Sequence, residues 1–150
     1  MMQDTIFRTM HHLCIIVRDI EKSVAYYESL GIGPWASFPP LDIFTDLMVM
    51  DRQGFLNLTF RYAALGNMQL QLCQPGEGDS PQKQFLETRG EGVYHLGFTV
   101  PDVDEAEAQA TALGLQPKSR GRLPNGGFTY FDTADKGAEV ILEVRALNVS

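Results

Sequence analysis

The chain alternates before it turns helical, and it does so twice. Leu13, Ile15 and Val17 stand out of phase with His12, Cys14 and Ile16, which is the two-residue period of a strand. From Ile20 the period lengthens: Ile20, Val24, Tyr27 and Leu30 share one side of a helix predicted from Ile20 to Leu30. Asp19 stands where an N-cap is wanted, and Gly31 where a left-handed C-cap is wanted. The same arrangement recurs 83 positions on. There Leu96, Phe98 and Val100 alternate with His95, Gly97 and Thr99, and Val103, Ala106, Ala110 and Leu113 predict a second helix between Asp102 and Gly114. Glu105, three residues after Asp102, suggests a capping box.

The segments "HLCIIVRDIEKSVAYYESLG" and "HLGFTVPDVDEAEAQATALG" align without a gap. Their identical pairs are His12/His95, Leu13/Leu96, Val17/Val100, Asp19/Asp102, Ala25/Ala108, Leu30/Leu113 and Gly31/Gly114. Caps and core positions account for all of these except the histidines.

More strands follow each helix. In the first half "TDLMVMD" and "FLNLTFRYAAL" flank a turn at "RQG", and "MQLQLCQ" closes the half. In the second, "KSRGRL", the turn "PNGG", "FTYFDT", the turn "ADKG" and "AEVILEV" give the same order. Between the halves lies a Gly- and charge-rich linker, where Ser80 and Pro81 predict the start of a short helix that ends before Gly90. The expected fold is therefore α+β: two paired βαβββ modules, about 10–75 and 92–146, joined by a linker of about 76–91 within one domain spanning 1–150. A sheet with a helix on one face leaves its other face to be covered. Pairing two such sheets predicts a curved, partly open mixed sheet around a cavity.

The closing strands carry the next signal. Gln69, Gln71 and Cys73 alternate with Met68, Leu70 and Leu72, while Glu139, Ile141 and Glu143 alternate with Val140, Leu142 and Val144. The repeat thus relates His12 to His95 and Gln71 to Glu143. Two imidazoles, an amide oxygen and a carboxylate suit a divalent first-row metal with open positions for substrate. Taken singly, a strand histidine is more often packed than ligating, and Gln71 lies in a Gln-rich segment. Glu143 is the stronger signal, because a carboxylate in a buried strand is normally paired or metal-bound. His11 points to the other side of its strand. Cys14 and Cys73 share the faces of His12 and Gln71, as small lining residues.

The segments "HHLCIIVRDIEKSVAYYESLGI", "MQLQLCQP", "GEGVYHLGFTVPDVDEA" and "GAEVILEV" resemble the vicinal-oxygen-chelate superfamily, which includes glyoxalase I, methylmalonyl-CoA epimerase, fosfomycin-resistance proteins, bleomycin-binding proteins and extradiol dioxygenases. The resemblance runs from about Met10 to Val144. It implies one metal held by His12, Gln71, His95 and Glu143, a combination most similar to methylmalonyl-CoA epimerase, with glyoxalase I close behind. It does not distinguish Zn, Ni, Co, Mn or Fe. The implied chemistry is isomerase or lyase action through proton abstraction and a metal-stabilised enolate, on a thioester or hemithioacetal substrate. Glu143 is the expected base. The epimerases use a second glutamate from the first module, yet the segment from Phe38 to Leu65 contains none; its carboxylates are Asp42, Asp46 and Asp51. Arg61 and Tyr130 are candidate substrate-binding residues, and "RGRLPNGGF" is either a closing loop or a plain hairpin. Alternative readings are a small-molecule binding or resistance protein using the same cavity, and a ring-cleaving dioxygenase, which a fourth ligand at Gln71 disfavours.

Composition narrows the partners. A formal net charge of −7 argues against nucleic acid or an anionic membrane surface. No apolar run approaches a membrane span, and "MMQDTIFRTMHHL" is unlike a signal peptide. Two cysteines suggest reduced thiols in the cytoplasm. The superfamily resemblance adds the expectation of a homodimer.

Overall fold

The computed structural model describes residues 4–147. In chain order the elements are β1 (Met10–Ile16), α1 (Ile20–Ser29), β2 (Ala36–Ser37), a single 3-10 turn (Leu41–Ile43), β3 (Asp46–Met48), α2 (Arg52–Leu56), β4 (Thr59–Leu65), β5 (Met68–Gln74), α3 (Pro81–Arg89), β6 (Gly92–Thr99), α4 (Val103–Ala112), β7 (Pro117–Leu123), β8 (Gly126–Phe131) and β9 (Ile141–Leu147). The strands follow the order β2-β4-β5-β1-β6-β9-β8-β7-β3 in one nine-stranded mixed sheet. The described residues fall into two compact units, one formed by residues 12–43 and 49–95, the other by residues 4–11, 44–48 and 96–147.

In the first of these units, β1 runs parallel to β5, and β5 runs antiparallel to β4. Helix α1 begins because the Asp19 side chain accepts from the Lys22 N–H, and it ends as Gly31 takes φ 88. It buries Ile20 against Val17 and Leu72, with Ile15, Val24, Tyr27 and Trp35 around them. Leu30 is not part of that core. It is the C-cap and is 58% exposed, because the helix has already turned its apolar stripe away.

The predicted turn at "RQG" is instead helix α2. Asp51 caps it by accepting from the Gly54 N–H at 3.2 Å, and the same carboxylate takes the Asp79 N–H at 2.8 Å. Gly54 is required by this crossing, since a Cβ there would stand 1.6 Å from the Asp79 carbonyl oxygen. Further along, Ser80 caps α3 by accepting from Lys83 N–H, with Pro81 in the first turn, as the linker composition predicts.

The second unit is built on β9, β8 and β7, successive antiparallel neighbours. Asp102 caps α4 by accepting from the Asp104 and Glu105 N–H groups. The helix packs Val103, Ala106 and Ala110 onto Phe131, Val144 and Ala146. Leu113, at its C-cap, is 72% exposed, repeating the outcome at Leu30. The sequence pattern places the "TDLMVMD" strand beside β4; in the structure β3 pairs antiparallel with β7 instead, Leu47 opposite Gly121. Phe44 precedes it and meets Phe128 edge-on, a contact for which Gly121 leaves room: a Cβ there would lie 2.7 Å from the Phe128 ring and 2.9 Å from the Phe44 ring. The predicted "AEVILEV" strand starts only at Ile141, because Ala138 and Glu139 take positive φ and end a turn.

Candidate metal centre

Strand register decides which side chains can meet. Across β1 and β5, His12 lies opposite Gln69, Cys14 opposite Gln71 and Ile16 opposite Cys73. Across β5 and β4, Gln71 lies opposite Tyr62 and Cys73 opposite Phe60. One face therefore carries His12, Cys14, Ile16, Gln71, Cys73, Phe60 and Tyr62, and α1 covers the other through Ile15 and Leu72. The face with the histidine is not the wet side of the sheet: His12, Cys14, Ile16, Gln71 and Cys73 are all at most 3% exposed. Neither cysteine is in a disulfide, and burial pushes the Cys73 thiol well above its ordinary range.

His95 comes to this face from β6, where it is 1% exposed. Its Nε2 lies 2.9 Å from Nε2 of His12, with the two rings near perpendicular at 88°. Tyr94 beside it is steadied edge-on by Phe85 of α3. Gln71 donates its amide Nε2 to Gln69 Oε1 at 3.2 Å, which turns its carbonyl oxygen into the end available for ligation.

Glu143 is in β9, 6% exposed. Val144 and Ala146 face α4, so alternation puts Glu143 on the opposite face, with Tyr130 directly across in β8. Tyr130 is buried and packs its ring on Phe128, centroids 5.2 Å apart. The α4 side holds a different set of charges. Arg122 gives Nε to Asp104 and Nη2 to Glu107 and Thr129, and Arg120 gives Nη1 to Glu107. The "RGRLPNGGF" segment is accordingly a hairpin whose arginines anchor α4.

His12 and His95, in the first unit, and Glu143, in the second, are each buried. The two imidazoles fit a divalent ion: nitrogens that share one ion at 2.0–2.1 Å stand about 3 Å apart, close to the observed approach of 2.9 Å. Without an ion, one ring must donate to the other, and two imidazolium groups could not share this spacing.

Arg61 is placed elsewhere. It sits opposite Leu72, on the α1 side of the β4–β5 pair, and gives Nη2 to Glu21 of α1 at 2.7 Å. The residues on the Gln71 side of β4 are Phe60 and Tyr62, with Phe38 stacked on Phe60 at 5.0 Å and tilted against Tyr62 at 5.3 Å. Arg145, two residues after Glu143 on the same side of β9, is the charged neighbour that the sequence reading missed. The alternation of "EVR" at 143–145 was the available signal. Of the first-half aspartates, Asp51 is committed to the α2 cap, while Asp42 and Asp46 are exposed.

A family model described as the glyoxalase/bleomycin resistance protein/dioxygenase superfamily matches residues 11–131. The curated protein YqjC of Bacillus subtilis (strain 168), described as uncharacterized, is 30% identical over 90 residues, which cover 59% of this chain and 55% of that protein. The chain thus aligns with about half the length of that relative. Among solved structures, methylmalonyl-CoA epimerase from Mycobacterium tuberculosis is similar with TM-score 0.74 at 20% identity, covering 97% of this chain and 92% of that one. A variant methylmalonyl-CoA epimerase of Streptomyces coelicolor, solved with 2-nitronate-propionyl-CoA, gives TM-score 0.72 at 20% identity, with 95% and 99% covered. At these identities the likeness is one of fold.

Proposed function

The chain belongs to the glyoxalase/bleomycin resistance protein/dioxygenase superfamily, and from that premise we propose that it is a metal-dependent isomerase or lyase that moves a proton beside a carbonyl group. The substrate class is a thioester or hemithioacetal, as in an epimerase or a lactoylglutathione lyase. The observation that carries this reading is the buried pair of His12 and His95, with their Nε2 atoms 2.9 Å apart. His12, His95 and Glu143, with the carbonyl oxygen of Gln71, would hold a divalent ion. When bound, such an ion supplies Lewis acidity to a chelating pair of substrate oxygens, lowering the cost of negative charge there.

The chain's own groups do the rest. Glu143 takes the proton from the carbon next to the carbonyl. Its burial keeps competing water away from that transfer. His12 and His95 stay neutral, as ligation demands.

Metal content of protein purified without chelator tests the site: about one equivalent of a first-row divalent ion is expected, lost in the His12→Ala/His95→Ala double variant. Protein that stays metal-free when offered Zn, Ni, Co, Mn and Fe ends the reading. For the base, Glu143→Gln should abolish deuterium exchange from solvent into substrate while most of the metal remains; undiminished exchange would move the role to another residue. A second reading rests on the Phe38, Phe60 and Tyr62 aromatics on the Gln71 side, which suit a flat apolar ligand held without turnover. Tight binding of aromatic compounds with no exchange in any thioester or hemithioacetal would favour it.

A further inference from the structure

A second hollow lies within the first unit, on the side of β1 that His12 does not face. Alternation along β1 and into Val17 sends His12, Cys14 and Ile16 one way and Ile15 and Val17 the other, toward α1. The helix buries Val17 but leaves Ile15 partly open, and a groove of about 540 Å³ runs along that gap. Small-molecule pockets measure about 300–1,000 Å³, so the space suits a compact ligand. Its floor is Ile15, Val17 and Gly92 at the start of β6, and its wall is one stripe of α1. Lys22 and Tyr26 stand four residues apart on that stripe, one helical turn from each other. Tyr26 is 61% exposed, and its ring meets Tyr27 edge-on at 5.7 Å. Gly92 keeps the floor low: a Cβ there would meet only the Phe85 ring, at 4.0 Å, so a side chain at this position would grow into the groove.

The charges around the groove are not equally free. Asp19 and Glu91 border it, but main chain engages both carboxylates: Asp19 takes the Lys22 N–H as the cap of α1, and Glu91 takes the Arg18 N–H at 2.9 Å. The side chains of Arg18 and Lys22, which also line the groove, make no hydrogen bond or ion pair with any described residue. In a chain of net charge −7, two uncommitted cations beside an apolar floor and an exposed tyrosine select for one kind of molecule. A flat ring rests on Ile15 and against Tyr26, and its acidic group reaches Arg18 and Lys22 through charge-assisted hydrogen bonds.

We propose that this groove is a binding site for a small aromatic acid, whose carboxylate is held by Arg18 and Lys22. It opens on the opposite face of β1 from His12, and the assignment does not depend on the metal reading. The full chain is titrated calorimetrically with 2-naphthoate, with 2-naphthamide, which keeps the ring without the charge, and with 2-naphthylmethylammonium, which reverses the charge. Wild type should bind the acid about tenfold or more tighter than the amide, the worth of one charge-assisted pair, and the ammonium no tighter than the amide. Arg18→Gln/Lys22→Gln, at two exposed positions, should bring the acid down to the affinity of the amide with the melting temperature unchanged. Gly92→Leu, which fills the floor, and Tyr26→Ala, which removes an exposed wall, should each weaken acid and amide alike by about fivefold or more. Equal binding of acid and amide in wild type, tighter binding of the ammonium, or a preference for the acid that survives the double variant overturns the site. So does an affinity for the acid that neither Gly92→Leu nor Tyr26→Ala changes.

Discussion

At the scale of single residues, the side chains with the most to lose are those whose places nothing else could fill. Gly54 sits where the backbone of Asp79 crosses α2, and an added Cβ would meet the Asp79 carbonyl at 1.6 Å. Gly54→Ala must displace main chain rather than a flexible side chain, so a loss of about 2–4 kcal/mol is expected, read as a lower urea midpoint at unchanged slope. Asp51 serves the same crossing from the other side. Its carboxyl is held below the usual carboxylate range, chiefly by the Asp79 N–H. A depressed folded-state pKa means that stability is present above the ordinary aspartate value and is lost as pH falls through the lower one. Thermal stability should therefore decline below about pH 4, and Asp51→Asn should flatten that part of the profile; an unchanged acid limb in the variant would assign the loss to other groups.

Elements explain both what the sequence reveals and what it hides. The repeated strand and helix are legible because Asp19 and Asp102 cap them and Gly31 and Gly114 end them, all through bonds among residues close in sequence. The meeting of His12 with His95 is legible through the repeat, which sets both at the same point of equivalent strands. Helix α2 is hidden because its glycine, a turn signal locally, answers to a chain segment 25 positions away. Strand β3 is hidden because its partner is β7 rather than β4, a choice made by Phe44 against Phe128 and by Gly121 beneath them. Arg61 reads as a site residue on alternation alone, whereas Glu21 draws it to the helix side. The α4 docking is equally non-local: Glu107 accepts from Arg120, Arg122 and Thr129. Glu107→Ala strands the largely buried Arg122 with Asp104 as its remaining carboxylate, and should cost about 3 kcal/mol, while Asp102→Ala, which removes only a cap, should cost about 1 kcal/mol. Chemical denaturation of both variants checks the order; equal losses would mean that the network adds nothing beyond a cap.

For the whole molecule, ligand linkage is the decisive property. Among the described residues no helix is long and apolar enough to cross a membrane. An ion that binds the folded chain and not the unfolded one stabilises it by about 2.7 kcal/mol at one hundred times its dissociation constant. The melting temperature should climb with metal concentration, return to its starting value with chelator, and stay flat in the His12→Ala/His95→Ala variant. A melting temperature that ignores metal in wild type would place the ion outside the folding equilibrium.

The two thiols on the histidine face add a practical consequence. Cys14 and Cys73 are both 0% exposed, and no reagent reaches them while β1 and β5 stay paired. Their labelling rate is thus a clock on the opening of that strand pair, running in the unmodified protein at neutral pH. If metal clamps the histidines of the same face, the clock should slow when the ion is added.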